Sequence, residues 1–198
     1  MKSKKPKIVA MVGAVGSGKS SVARVLAKAI GAKVIAGDAV RVELRNQSKS
    51  FSQVRNIAEK TATAILRQGR SVVLDSDFVD LKKRRSLESK AKQNGARVVY
   101  VRTFCDRDIM IGRLISAKYS PKSFFGGASS EWRGKNNGAV VALREMWRRT
   151  PRHYRWSEKG GGTFLLKKLP IKFIAEIDTT TSSWKIKTRK VAQKIRRG

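Results

Sequence analysis

The chain has 198 residues, 40% of them hydrophobic, with 45 Lys and Arg against 14 Asp and Glu, a formal net charge of +31. That hydrophobic share excludes a disordered chain, the length suits one domain with a buried core, and a single cysteine, Cys105, excludes an internal disulfide framework. The charge favours polyanions, nucleic acid first, although a basic proteome or a salty interior in the source organism would produce the same composition.

Residues 2–7 form a charged lead-in. The run Ile-Val-Ala-Met-Val at residues 8–12 predicts a buried strand, and Gly13-Ala14-Val15-Gly16-Ser17-Gly18-Lys19-Ser20-Ser21 follows it. This fits G-x-x-x-x-G-K-[ST] between a strand and a helix, because Val22, Ala23, Val25, Leu26, Ala29 and Ile30 continue at helical spacing. Gly13 and Gly18 allow a tight turn whose N–H groups point inward at phosphate oxygens. Lys19 is expected to reach the β- and γ-phosphates, and Ser20 to offer a hydroxyl to Mg²⁺, at the positive end of the helix that starts there. The stretch therefore predicts a site for a nucleoside triphosphate with Mg²⁺.

Gly31 caps the first helix, and residues 33–36 predict a second strand leading into Gly37-Asp38-Ala39-Val40-Arg41. Helices are expected over residues 40–46 and 51–67, a buried strand over residues 71–74 ending at Asp75, a polar helix over 81–93 and a strand over 97–102. Alternating short β-rich runs and helical periods indicate a parallel α/β sheet covered on both faces. In such sheets ligands sit at the carboxyl ends of strands, where Gly13 to Ser20, Asp38 and Asp75 all fall. Residues 106–116 read as a helix, 117–137 as a long polar connection, 140–149 as a helix, 151–162 as a basic aromatic loop, 172–177 as a last strand and 184–196 as a basic helix. One domain spanning residues 1–198 is expected, with a lid-like insertion around 117–137.

Asp75 ends the run Val-Val-Leu-Asp, the placement of a carboxylate that holds Mg²⁺ or its water opposite Ser20; a helix cap is the competing role. Asp77, two residues on, suits the same metal shell or a cap. Asp38 and Arg41 lie where an acceptor would approach the γ-phosphate. A carboxylate there can take the proton of an attacking hydroxyl, and an Arg one helical turn later can hold an anionic group. The alternative is an N-cap Asp with a solvated Arg. Residues 131–156 hold seven Arg or Lys against two Glu, interleaved with Trp132, Trp147, Tyr154 and Trp156, a mixture that suits a single strand of nucleic acid. The bland version makes Met146 and Trp147 core and the arginines a solvated face. His153, the only histidine, has no partner motif and is not assigned to catalysis.

The P-loop, the Asp38-x-x-Arg41 pair, Val-Val-Leu-Asp75-Ser-Asp77-Phe and Arg113-Leu together resemble the AAA_33-type P-loop kinases, the group containing the kinase domain of phage polynucleotide kinase and zeta-toxin-like kinases. Leu143-Arg-Glu-Met-Trp147 is similar to the helix after the lid in the phage enzyme, and Ile-Asp178-Thr-Thr with its helix is similar to the end of such domains. The resemblance implies a P-loop NTPase fold of the nucleoside-monophosphate-kinase kind, with a mostly parallel five-stranded sheet. It also implies phosphoryl transfer from ATP to a hydroxyl, with Asp38 as general base, Arg41 on an acceptor phosphate and Arg113 at the lid against the adenine or the phosphates. Such kinases often carry a second lid Arg four residues later. Here Ala117 stands there, and Lys118, Lys122 or Arg133 are the candidates to replace it.

The leading expectation is a kinase acting on the 5′-hydroxyl of RNA or DNA. The alternatives are a kinase of nucleosides, nucleotide-sugars or metabolites, and an ATP-binding nucleic-acid-binding protein without transfer activity. No window approaches the roughly 18 apolar residues of a membrane span, and the basic start runs into a strand instead of a cleavable apolar segment. The expected location is therefore the cytoplasm, with no membrane partner. The sequence leaves the oligomeric state open.

Overall fold

The computed structural model describes residues 5–126, 138–159 and 161–197. Strand β1 (Lys7–Val12) is the centre of the molecule. Ile8 to Val12 are all at most 1% exposed, because alternate side chains enter two different helical layers. Ile8, Ala10 and Val12 pack with α3 (Val54–Arg67) and α4 (Leu81–Gln93), whereas Val9 and Met11 pack with α1 (Lys19–Ile30) and α7 (Trp184–Arg197).

Around β1 the sheet adds β2 (Lys33–Ala36), β3 (Val72–Asp75), β4 (Arg97–Phe104) and β7 (Phe173–Asp178) in the order β2-β3-β1-β4-β7, with every neighbouring pair parallel. Parallel strands require crossovers, so all their carboxyl ends share one edge. Ala36 stands beside Asp75 in the register, which brings α2 (Gly37–Asn46) against the end of β3.

Two expectations from the sequence change. The helix after β2 begins at Gly37, so Asp38 lies in its first turn and its charge faces the positive end of the helix dipole. The basic aromatic stretch at 151–162 is not a loop. Helix α6 (Gly138–His153) runs through Pro151 in its last turn, where the proline cannot donate to the carbonyl of residue 147 and the helix ends two residues later, and the chain then forms an antiparallel hairpin of β5 (Tyr154–Ser157) and β6 (Thr163–Leu166). Tyr154 and Trp156 alternate with Arg155 and Ser157, a short period-2 pattern that carries the strand signal.

Helix α5 (Arg107–Ser116) and α6 meet over Met110, Leu114, Ala142 and Met146, a third apolar cluster that also takes Ala14 and Tyr154. Glu59 is 3% exposed; between α3 and α4 it is ion-paired with Lys90 and accepts a hydrogen bond from the Ser86 hydroxyl. Among the described residues no helix is long and apolar enough to cross a membrane.

Candidate active site

The loop between β1 and α1 is bent around its glycines. Gly16 and Gly18 have φ of 84° and 78°, a region that L side chains rarely adopt. Gly13 is needed for closeness instead, because a Cβ there would lie 2.5 Å from the Thr103 carbonyl oxygen and 2.7 Å from Ser17 Oγ. The loop is braced from behind by a hydrogen bond of 2.9 Å between the Ser17 and Thr103 hydroxyls, and Thr179 Oγ1 donates to the Ser17 carbonyl at 3.1 Å. Both braces come from strand ends, β4 and β7, so the sheet holds the cradle in shape.

Lys19 Nζ donates to the carbonyls of Gly13 and Ala14, each at 2.8 Å. Lys19 is half-buried by surface area. Loss of hydration at its ammonium nevertheless pushes its pKa down, with Asp77, Asp75 and Asp38 pulling the other way. Burial also pushes the Asp75 carboxyl up, against a hydrogen bond from Ser20 and the charge of Lys19. Ser20 and Asp75 are therefore mutual neighbours at the mouth of the loop, a hydroxyl and a carboxylate of the type that hold Mg²⁺ together with phosphate and water oxygens.

These groups line a cavity of about 570 Å³ that reaches from Val15, Gly16 and Gly18 across Lys19, Ser20, Ser21 and Asp75 to Asp38 and Arg41. Asp38 and Arg41 form an ion pair of 2.8 Å, with the carboxylate side chain 57% exposed. A second cavity of about 270 Å³ lies beside it, bounded by Phe51, Phe78, Val54 and Arg55. The two share Arg41, Ser76 and Lys83 as a wall.

Arg113 does not line either cavity. Its guanidinium donates to Thr179 Oγ1 at 3.0 Å, to the Thr179 carbonyl at 2.5 Å and to the Gly16 carbonyl at 3.4 Å, from the back of the loop. Lys118 and Lys122 are exposed and stay out of the cleft lining, and Arg133, Trp132 and most of the expected insertion lie outside the described residues. The cleft instead receives Arg148, Arg149 and Arg152 from α6. Glu145 orients two of them, with ion pairs of 2.8 Å to Arg148 and 2.7 Å to Arg149. Helical spacing alone puts 145, 148, 149 and 152 on one face, a signal present in the sequence but unread because nothing there showed which way that face turned.

Sequence reasoning also missed Lys83, Arg45 and the partner of His153. Lys83 stands in the wall between the cavities, its pKa lowered by burial and raised in part by Asp77 and Asp80. Arg45 donates to the carbonyls of Pro121, Ser123 and Phe124 at 2.9, 3.3 and 3.1 Å, which draws that segment over α2. Phe124 then lies against Arg41, 5.3 Å from guanidinium carbon to ring centroid, and edge-on to Phe51 at 5.9 Å.

Asp77 is a junction. One carboxylate oxygen accepts from the Gly13 and Val79 N–H groups at 3.3 Å each, and the other lies 3.0 Å from Nε2 of His153, which is 1% exposed. Burial alone would raise its pKa, but the hydrogen bond and charge of His153, then Lys19 and the Gly13 N–H, outweigh it and hold it below the usual carboxylate range. Its folded pKa being depressed, Asp77 contributes stability at pH values above the ordinary carboxylate pKa, and that contribution disappears as pH falls through the folded value. Asp77→Asn is thus expected to lose about 1–3 kcal/mol in urea unfolding at pH 7. The gap should close below about pH 4. Equal stabilities at pH 7, or a gap unchanged at pH 2, would contradict this assignment.

A glycine-rich loop feeding a helix at the carboxyl edge of a 2-3-1-4-7 parallel sheet, with a carboxylate at the end of the adjacent strand, defines a P-loop NTPase fold of the nucleoside-monophosphate-kinase kind. The chain belongs to the AAA domain family AAA_33, whose profile matches residues 8–123. No curated protein matches its sequence. Among solved structures it is similar to a protein described as a kinase from Chloroflexus aurantiacus j-10-fl, with 18% identity, 98% of each chain covered and a TM-score of 0.63. It is also similar to the Mycobacterium tuberculosis APS kinase CysC in complex with AMPPNP and APS, with 16% identity, 96% and 95% coverage and a TM-score of 0.57. A third is the shikimate kinase of Acinetobacter baumannii in complex with shikimate, with 14% identity, 98% and 94% coverage and a TM-score of 0.51. At these identities the likeness is one of fold.

Proposed function

We propose that the chain transfers the γ-phosphate of ATP to a hydroxyl group, and that the acceptor is the 5′-hydroxyl end of a nucleic acid. The observation that carries this reading is the pair of cavities sharing Arg41, Ser76 and Lys83, with Asp38 on the phosphate side of that wall. The larger cavity suits a triphosphate. The smaller offers the rings of Phe51 and Phe78 for a base, and Arg41, Arg55 and Lys83 for the phosphate on the 3′ side of the terminal sugar.

Lys19 exchanges the Gly13 and Ala14 carbonyls for the β- and γ-phosphates, and the loop N–H groups hold the remaining oxygens. Ser20 and Asp75 are the residues that would hold Mg²⁺, which when bound neutralises phosphate charge. Asp38 accepts the proton of the attacking hydroxyl as its oxygen bonds to the γ-phosphorus and the bond to ADP breaks. Arg149 and Arg152 face the charge that accumulates on the transferred group. Arg113 keeps the Gly16 turn and the Thr179 loop together beside the nucleotide, and the segment held by Arg45 acts as the base of a lid.

A small-molecule acceptor is the second reading, favoured by the modest 270 Å³ of the smaller cavity and by fold neighbours seen with APS and shikimate. The test supplies ATP labelled at the γ-phosphate to a 5′-hydroxyl oligonucleotide, a nucleoside 3′-monophosphate and a panel of sugar acids. Label on the oligonucleotide is the expected result. Label on small acceptors alone replaces the first reading by the second, and ATP binding without label on any acceptor sinks both.

A further inference from the structure

The hairpin that replaces the expected loop presents an aromatic surface that the transfer reaction does not use. Trp156 and Phe164 are directly opposite each other in the β5–β6 register, with ring centroids 4.9 Å apart. Trp147 of α6 meets Phe164 edge-on at 6.4 Å. Arg107, at the start of α5, joins them, its guanidinium carbon 3.8 Å from the Trp147 centroid and 4.2 Å from that of Phe164.

Such a cluster would be unremarkable inside a core, but Trp156 is 54% and Trp147 48% exposed. The exposure is built, not incidental. A Cβ at Gly162 would come within 2.4 Å of the Trp156 ring, so the indole packs against the hairpin backbone at a position only glycine leaves free. The indole meets Phe164 at an interplanar angle of 63°, and about half of Trp156 stays exposed to solvent.

Charge selects the occupant. Residues 138–168 contain eight Lys or Arg against two Glu, and one of those, Glu145, is already taken by Arg148 and Arg149. An acidic polymer with flat apolar groups satisfies both features of the surface. Helix α6 also joins it to the cleft, because Arg148, Arg149 and Arg152 line the phosphate cavity and Trp147 directly precedes the first of them.

The geometry points to a stacking platform for bases of single-stranded nucleic acid, formed by Trp147, Trp156, Phe164 and Arg107 outside the reaction cleft. It takes the bases on its ring faces while cations of the same segment follow the phosphates, so it binds strands without regard to sequence. This rests on the nucleic-acid reading of the acceptor only in that the strand held here is taken to lead into the cleft.

The test is equilibrium binding of a fluorescein-labelled dT 12-mer, followed by anisotropy without ATP, against an abasic strand of the same length and charge. The wild-type protein is expected to prefer the dT strand, and Trp147→Ala with Trp156→Ala to lower dT affinity by about 5- to 100-fold with little change for the abasic strand. Trp156→Phe, which keeps a ring, should retain most of the preference. Equal affinity of the wild type for both strands overturns the platform, as does a double variant that binds dT as the wild type does. Concentration-dependent self-association by sedimentation, abolished in the double variant and unaffected by dT, would overturn it in favour of a second copy of the chain. Label transfer to a nucleoside 3′-monophosphate, measured on the same variants, reports on the cleft separately. A wild type that transfers label but shows no base preference overturns the platform alone, whereas base preference without any transfer overturns the kinase reading alone.

Discussion

Alanine at both Arg149 and Arg152 is expected to lower kcat for phosphoryl transfer by about 10³- to 10⁵-fold, the range over which a single arginine acts on transferring phosphoryl groups. The two side chains line the same cavity as Lys19, Ser20 and Asp75. Arg149 is also held in place by Glu145 at 2.7 Å, so little side-chain ordering is left to be done when the nucleotide binds. Both arginines are on the helix surface, and their removal should leave the melting temperature within a few degrees. Separate measurement of ATP affinity distinguishes lost transition-state stabilisation from lost binding. Lysine at both positions should restore only part of the rate, because a point charge does not reproduce the guanidinium fork. A kcat within threefold of wild type in the double alanine variant would remove α6 from the chemistry.

Asp38→Asn should reduce kcat by about 10²- to 10⁴-fold with the affinity for ATP unchanged. Asparagine keeps the shape and the capacity to accept a hydrogen bond from Arg41, but it cannot accept the proton of the attacking hydroxyl. The Asp38–Arg41 pair is largely exposed on the Asp side, so its loss contributes little to stability and the variant should remain folded. Arg41→Ala is informative beside it. That change frees Asp38 and should chiefly raise KM for an anionic acceptor, leaving the response to an uncharged one much less affected. If Asp38→Asn transfers label at the wild-type rate, the base is another group and Asp38 serves only the first turn of α2.

Much of this site was legible along the chain. The loop from Gly13 to Ser21, the strand before it and the helix after it are local features, decided by apolar runs, glycines and spacing within a dozen residues. The five strands of the sheet and the helices between them follow from the same short-range patterns, and the chain belongs to the family those motifs suggested. Asp38, Arg41 and Asp75 were findable for the same reason, since each ends or follows a strand whose carboxyl edge the topology brings to one side.

What the chain did not disclose lies in contacts between distant segments. His153 meets Asp77 across 76 positions, and Arg45 reaches Ser123 across 78. Neither pair has a spacing rule, so a lone histidine in a basic stretch carried no sign of a buried partner. The arginines of α6 are a subtler case, for their common face was implicit in the helical period while its direction was set by how Met146 and Ala142 pack on α5. Arg113 shows the converse: a motif residue whose side chain, in the fold, is taken up by Thr179 and Gly16. By itself the sequence determined the phosphate cradle and the sheet that carries it, because backbone conformation and hydrophobic period are local properties. Only the tertiary structure decided which cations enter the cleft and that the aromatics of the hairpin stand outside it, because burial of an apolar face in the core dictates where every opposite face must point.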